Sequence, residues 1–161
     1  MPRFSLHQHW LSLGDDFTIR DEVGNDAYWV DGKVFALSDT LILKSMGGQE
    51  LATIRRRILS FGPTYDIEFP DRTVTINKQL FTFFRCRFTL DQPGPDDFEA
   101  AGDFLDHEYQ FTGADGRTAA TVSKHWLTLS DRYGIDIARP DDVPMFLCAA
   151  VVIDRCCHEK R

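Results

Sequence analysis

The chain has 161 residues and a formal net charge of −7, with 43% hydrophobic and 27% charged residues, which is typical of one globular domain. The negative charge argues against broad binding to nucleic acid, because phosphate contacts need concentrated lysine and arginine. No apolar window is long enough to span a bilayer, and the N-terminus lacks the apolar run of a signal peptide. We therefore expect a cytoplasmic protein, with peripheral membrane binding left open and its four cysteines reduced.

The first half of the chain predicts short strands separated by turns. Apolar and polar residues alternate in these segments, as they do in half-buried strands. The connections carry turn residues, such as the pair Asp31-Gly32, which suits a tight hairpin. The predicted strands are 10–13, 17–20, 27–30, 33–36, 40–44, 50–60, 65–69 and 73–77.

The second half continues the same pattern. The aromatic segment Lys78–Leu90 changes strand parity near Phe83, which predicts a bulge or a break. The composition of 91–97 is that of a loop. Strands spaced so regularly, with no earlier helical period, predict an antiparallel sheet or barrel. The remaining predicted strands are 98–105, 107–112, 117–130 and 134–138.

Only the segment Val143–Ile153 is apolar on every face. Eleven helical residues span about 16 Å, roughly half of a bilayer core, so we expect a helix buried in protein. Asp141 or Asp142 can cap its first turn. A buried strand is the alternative, because two β-branched residues lie near its end. The core residues predicted here are Val143, Met145, Phe146, Leu147, Ala149, Ala150, Val151 and Ile153.

An internal repeat is visible at an offset of about 68 residues, without gaps. One unit of turn, strand, loop and strand occurs twice, which predicts pseudo-symmetric halves of a barrel. The matching pairs are Gly48 and Gly116, Ala52 and Ala120, Thr53 and Thr121, Ile54 and Val122, Leu59 and Leu127, Tyr65 and Tyr133, and Ile67 and Ile135.

Several segments together resemble the LURP-one-related family of the tubby C-terminal-like and phospholipid scramblase superfamily. The segments that carry the resemblance are 17–24, 30–35, 48–54, 98–104 with His107-Glu-Tyr109, Val122-Ser-Lys-His-Trp126, 131–137 and Ala149-Ala-Val-Val-Ile-Asp154. The resemblance implies a single domain over residues 1–161. It also implies a barrel of about twelve antiparallel strands enclosing a central hydrophobic C-terminal helix. It implies no activity, because the family has no uniform biochemical function and no shared catalytic motif.

The basic strand is the first candidate site. Arg55 and Arg57 should point to one face of the strand and Arg56 to the other. Tubby-type domains bind phosphoinositides through basic residues on the barrel surface, and guanidinium groups suit phosphate. The alternative is an ordinary solvated surface. The predicted ligand-binding residues are Arg55, Arg56, Arg57, Lys78 and Lys124, the last being the repeat equivalent of Arg56.

Metal sites are weaker candidates. The carboxylates Asp131, Asp136, Asp141 and Asp142 offer oxygen ligands for calcium, but Tyr133 stands where an EF-hand loop needs a ligand. The histidines near the N-terminus and the segment Cys156–His158 lack the paired spacing of a structural zinc site. We expect no metal and no other cofactor.

The sequence contains no glycine-rich phosphate loop, no Gly-x-Ser-x-Gly elbow and no His-Glu-x-x-His helix. We therefore expect a non-enzymatic binding module for an anionic phospholipid headgroup or another phosphorylated ligand. A protein-interaction scaffold that presents loops such as 91–97, and an enzyme whose site assembles only in space, are the alternatives. Asp154 is expected to pair with a group at the barrel end, such as an arginine.

Overall fold

The computed structural model describes residues 2–7, 16–32, 40–57, 64–82, 85–94, 96–126 and 132–158. Within them, twelve strands precede a 3-10 turn and one long helix. The elements are β1 (Arg3–His7), β2 (Phe17–Asp21), β3 (Asp26–Asp31), β4 (Thr40–Ser45), β5 (Glu50–Arg56), β6 (Thr64–Glu68), β7 (Thr73–Thr82), β8 (Arg85–Asp91), β9 (Phe98–Asp103), β10 (Glu108–Gly113), β11 (Thr118–Ser123), β12 (Arg132–Ile137), the 3-10 turn Pro140–Asp142 and α1 (Val143–His158).

The strands form one closed antiparallel barrel in which each strand pairs with its neighbours in sequence. The first strand closes it, because β1 pairs with both β2 and β12. Phe4, for example, lies opposite Asp21 on one side and Ile135 on the other. Closure leaves no edge strand exposed to other chains. The predicted antiparallel barrel is confirmed.

The boundaries differ from the prediction in several places. The strand β1 was not predicted, and the strands predicted at 10–13 and 33–36 lie outside the described residues. The aromatic segment Lys78–Leu90 is shared between β7 and β8, which pair as a hairpin, so the parity change marks a break between two strands. The strand predicted at 117–130 is shorter, since β11 ends at Ser123.

The helix α1 fills the barrel, as predicted. Every residue from Met145 to Ala150 is fully buried, and Val151 to Ile153 are 1% exposed. The ring of Phe146 lies 5.2 Å from the rings of Phe98 and Phe111, which come from the surrounding wall. A helix that is apolar on all sides is stable only where protein surrounds it, and the closed wall of strands provides that environment.

Because neighbouring strands are antiparallel, successive connections between them lie at alternate ends of the barrel. We call the end where α1 begins the lower end, and the end where it finishes the upper end. At the lower end, the carboxylate of Asp142 lies 3.2 Å from Arg139 Nε and 3.6 Å from Arg72 Nη2. The aspartate at the start of the helix is therefore held by two arginines, one of them from the β6–β7 turn.

At the upper end, α1 is tied to the barrel by a buried polar contact. Asp154 Oδ1 lies 2.9 Å from His107 Nε2, and the two side chains are 1% and 2% exposed. The backbone of His107 has a φ of 54°, and its ring stacks on Tyr133 at 4.2 Å. Burial, and then the nearby charge of Asp154, raises the pKa of Tyr133 well above its usual value. The expected pairing of Asp154 with a group at the barrel end is confirmed, and that group is the imidazole of His107.

The strands repeat at the predicted offset of about 68 residues. The strand β4 corresponds to β10, β5 to β11 and β6 to β12. The two turns between the first strands match as well. Gly48 and Gly116 have φ values of 89° and 81°, and their N–H groups donate to Ser45 O at 2.9 Å and Gly113 O at 3.0 Å. Because each strand lies six positions from its counterpart in a closed order of twelve, the copies lie on opposite sides of the barrel.

We predict that Asp154→Asn lowers the free energy of unfolding by about 3 kcal/mol, because it breaks a buried pair and leaves His107 without its carboxylate. Urea denaturation measures this. The control is Asp106→Asn, an exposed carboxylate in the same connection as His107, which should stay within about 0.5 kcal/mol of the parent. Equal unfolding midpoints for the two variants would show that the contact contributes little.

Candidate functional site

The outer wall around β1 carries an unusual set of side chains. On β1 and β12 the apolar residues Phe4, Leu6, Tyr133 and Ile135 are buried in the core, so the residues between them face outward. The register places three outward pairs side by side. These pairs are Arg3 with Asp136, Ser5 with Gly134, and His7 with Arg132.

An open groove of about 360 Å³ runs over this part of the wall. Three arginines line it, one each from β1, β2 and β12: Arg3, Arg20 and Arg132. Trp126, which follows β11, forms one side. The acidic pair Asp21 and Glu22 lies at the β2–β3 turn, also in the lining. We call this site the arginine groove.

The indole of Trp126 can lie against the sheet because Gly134 has no side chain. A Cβ atom at position 134 would lie only 3.1 Å from Trp126 Cε3. The guanidinium carbon of Arg3 sits 4.4 Å from the centre of the indole ring, a cation–π contact. Gly134 thus positions Trp126, and Trp126 in turn holds Arg3 beside the groove.

The ion pairs of the two more exposed arginines are long. Arg3 Nη2 lies 3.4 Å from Asp136 Oδ2, and Arg20 Nε lies 3.5 Å from Asp26 Oδ1. Strong charge-assisted bonds measure about 2.7–2.9 Å. The two side chains are 40% and 45% exposed, so solvent and ligands reach them. Both arginines therefore have donor capacity that their acidic neighbours use weakly.

Arg132 is held more firmly. Its residue is 6% exposed, and its Nη2 lies 2.8 Å from His7 Nε2. A guanidinium group has donors and no acceptor, so His7 accepts this bond through Nε2. The histidine in this contact is therefore neutral, with its proton on Nδ1. This arrangement fixes Arg132 at the base of the groove.

The predicted basic strand is arranged differently. Arg55 Nε lies 3.0 Å from Glu68 Oε2, and Arg57 binds Asp66 through two bonds of 2.8 and 3.0 Å. Arg56 has the parity of the buried residues of β5 and therefore faces inward, which confirms the predicted alternation. Both outward arginines thus already donate hydrogen bonds to neighbouring carboxylates.

The titration of Asp66 reflects this pairing. Burial raises the pKa of Asp66, but the hydrogen bonds from Arg57 and Thr75 and the charge of Arg57 outweigh it, so the pKa lies below its usual value. The same carboxylate raises the pKa of Arg57 through a hydrogen bond and its charge. A phosphate ligand at Arg57 would have to compete with this carboxylate.

The five predicted basic residues do not share one surface. Lys78 lies opposite the buried Phe88 in the register and has inward parity, unlike Arg55 and Arg57. Lys124 follows β11, on the opposite side of the barrel from β5, and its backbone N–H donates to Glu108.

The acidic candidates are also separated. Asp136 pairs with Arg3, Asp142 pairs with Arg72 and Arg139, and Asp141 is exposed in the 3-10 turn. Asp131 lies outside the described residues. Across the described ranges, no three side chains of His, Cys, Asp or Glu come together as they would around a metal ion.

The repeat shows one position at which the two copies of this wall differ. At the repeat offset, Gly134 on β12 corresponds to Asp66 on β6. In the first half, Asp66 binds Arg57 and accepts a 2.8 Å bond from Thr75, so its carboxylate fills the outer face. In the second half Gly134 stands there, and the indole of Trp126 lies against it. The same offset that predicts the repeat also aligns these two positions, so this difference is visible in the sequence.

Fold and site together define a class of protein: a closed twelve-stranded barrel around a buried C-terminal helix, with its open cationic groove on the outer wall. A family model described as LURP-one-related matches residues 3–154. The chain therefore belongs to the LURP-one-related family, as its motifs had indicated.

Two known proteins are similar to the chain over most of its length. The Bacillus subtilis (strain 168) protein "Uncharacterized protein YxjI" is 30% identical over 149 residues, which cover 92% of this chain and 90% of that protein. The X-ray structure of a protein from Arabidopsis thaliana is 18% identical, with a TM-score of 0.56, and covers 94% of this chain and 88% of that one. The second likeness supports the fold alone.

The helix of the described chain is not long and apolar enough to cross a membrane.

We predict that Asp66→Asn lowers the urea midpoint at pH 7 by about 0.3 M, a small effect because the pair is partly exposed. The folded pKa of Asp66 is depressed, so its contribution is present above the unfolded value near 3.8 and disappears as the pH falls through the folded value. Parent and variant should therefore converge in acid. Asp115→Asn, at an exposed turn position, is the control and should leave the midpoint unchanged. A pH-independent difference would contradict the assignment.

Proposed function

We infer that this protein is a non-enzymatic binding module that takes the phosphate group of its ligand in the arginine groove. The ligand is either a phospholipid headgroup at a membrane surface or a free phosphorylated molecule. The observation that carries the proposal is the convergence of Arg3, Arg20 and Arg132 from three adjacent strands on one open groove. Guanidinium groups match phosphate in both charge and geometry.

The strength of the existing contacts supports this site. An exposed ion pair contributes about 0.2–1 kcal/mol, whereas a hydrogen bond to a charged group contributes about 1.5–3 kcal/mol. A phosphate that binds Arg3 and Arg20 would therefore displace only weak contacts, and it can accept bonds from both guanidinium groups at once. At Arg57 the same ligand would have to displace a carboxylate that already makes two short bonds.

An enzymatic function has less support. The His107–Asp154 pair has the residue types of an acid–base pair, but its side chains are buried and lie against the core of the barrel. A group that acts on a substrate must come within hydrogen-bond reach of it. The contact between His107 and Asp154 joins the helix to the wall, which is a sufficient reason for its presence.

We predict that Arg20→Gln and Arg3→Gln each weaken binding of a phosphorylated ligand about tenfold, since each removes a charge-assisted contact. Calorimetry with a soluble inositol phosphate measures the affinity for a free ligand. Co-sedimentation with phosphatidylcholine vesicles, with and without phosphatidylinositol phosphates, measures binding to a lipid headgroup.

The matched controls are Arg55→Gln and Arg57→Gln, which remove the same charge from the basic strand. They should leave the affinity unchanged. If instead these two variants lose binding and the groove variants keep it, the ligand binds at the strand predicted from sequence. Undetectable binding of every phosphate ligand by the parent protein would eliminate the proposed function.

A further inference from the structure

The lining of the arginine groove contains two acidic residues beside its three arginines. Asp21 and Glu22 line it where the β2–β3 turn begins. The Oδ1 atom of Asp21 accepts bonds from the N–H groups of Val23 at 3.0 Å and Asn25 at 2.9 Å, so it shapes the turn. Glu22 is exposed and makes no hydrogen bond or ion pair with any residue that the structure describes. Its carboxylate is thus available to a ligand.

We propose that the ligand is a phosphate ester that also carries an ammonium group, so that the phosphate meets the arginines and the ammonium meets Glu22. This rests on the proposed function of the groove. A ligand with phosphate alone would place its negative charge in the same groove as the carboxylate of Glu22, and the repulsion would weaken binding. A ligand with an ammonium group at that end converts the repulsion into attraction.

The charge of the lower end favours the same class of ligand. The six connections there contain seven carboxylates and three arginines, and two of those arginines, Arg72 and Arg139, contact Asp142. Those connections are 22–25, 46–49, 69–72, 92–97, 114–117 and 138–142. This surface adjoins the groove and repels polyanions within a Debye length of about 8–10 Å. A ligand whose own ammonium offsets about half of a monoester charge, or all of a diester charge, reduces that repulsion.

The size of the groove agrees with a small ligand or an isolated headgroup. Its volume of about 360 Å³ lies near the lower limit of ordinary ligand pockets. An amino-alkyl phosphate has two charged ends a few bonds apart, and a lining that contains both arginines and a glutamate offers a partner to each end.

The test compares O-phosphoethanolamine with n-propyl phosphate, which has the same chain length and no ammonium. Calorimetry on the full chain should show that the parent binds the amino compound about threefold to fivefold more tightly, as expected for one exposed ion pair. Glu22→Gln should abolish this preference without weakening the binding of n-propyl phosphate. Glu50→Gln, an exposed carboxylate at the next turn of the lower end, is the matched control and should keep the preference.

Vesicles of phosphatidylglycerol, whose phosphate carries no ammonium group, with and without phosphatidylethanolamine distinguish a lipid headgroup from a free ligand. Binding in either form with the Glu22-dependent preference supports the proposal. Equal affinities of the parent for the two phosphates would overturn it and leave the proposed function intact. The proposal would also be overturned, with the proposed function intact, if Glu22→Gln changed the affinities for O-phosphoethanolamine and n-propyl phosphate by the same factor. If the parent binds no phosphate compound at all, both the proposed function and this inference are wrong.

Discussion

The dry contact between α1 and the inner faces of the strands determines where this protein can act. Residues Met145 to Ala150 are fully buried, and rings such as Phe111 fill the space between helix and wall. Protein interiors are close-packed, so the buried helix and the inner faces of the described strands fill this space with side chains. The arginine groove accordingly lies on the outer wall, where three arginines line it.

The duplicated half-barrel shows how one backbone carries two different surfaces. In the first copy Asp66 binds Arg57, so opposite charges fill the wall. In the second copy Gly134 leaves space that Trp126 occupies, and the indole holds Arg3. The backbone is alike in both halves, and the chemistry differs because of side chains at a few equivalent positions, as is general for sites on shared folds.

The parts of the structure that were predictable from sequence are those with a local or periodic signal. The helix could be recognised because Val143–Ile153 is apolar on every face, and the repeat because its offset is constant. The turn between β7 and β8 was ambiguous, since Phe81-Thr-Phe-Phe84 contains none of the usual turn residues. The partner of Asp154 depends on the positive φ of His107, which no pattern in the chain indicates. Arg3 and Arg132 lie on neighbouring strands only because β1 pairs with β12 and closes the barrel. No local spacing in the sequence could therefore reveal the groove.

A protein with a net charge of −7 can still bind an anion if its few outward cations converge and its acids surround them. Charges within a groove act on a small ligand at contact distance, whereas the remaining charges act on large partners over a Debye length. In the proposed function the arginines attract a phosphate that fits the groove, and the acidic turns at the lower end disfavour extended polyanions such as nucleic acid. Specificity of this kind depends on the repulsive surroundings as much as on the attractive contacts. The acidic turns therefore weaken binding to an anionic surface. By the same repulsion, they would allow the groove to select a ligand of low net charge.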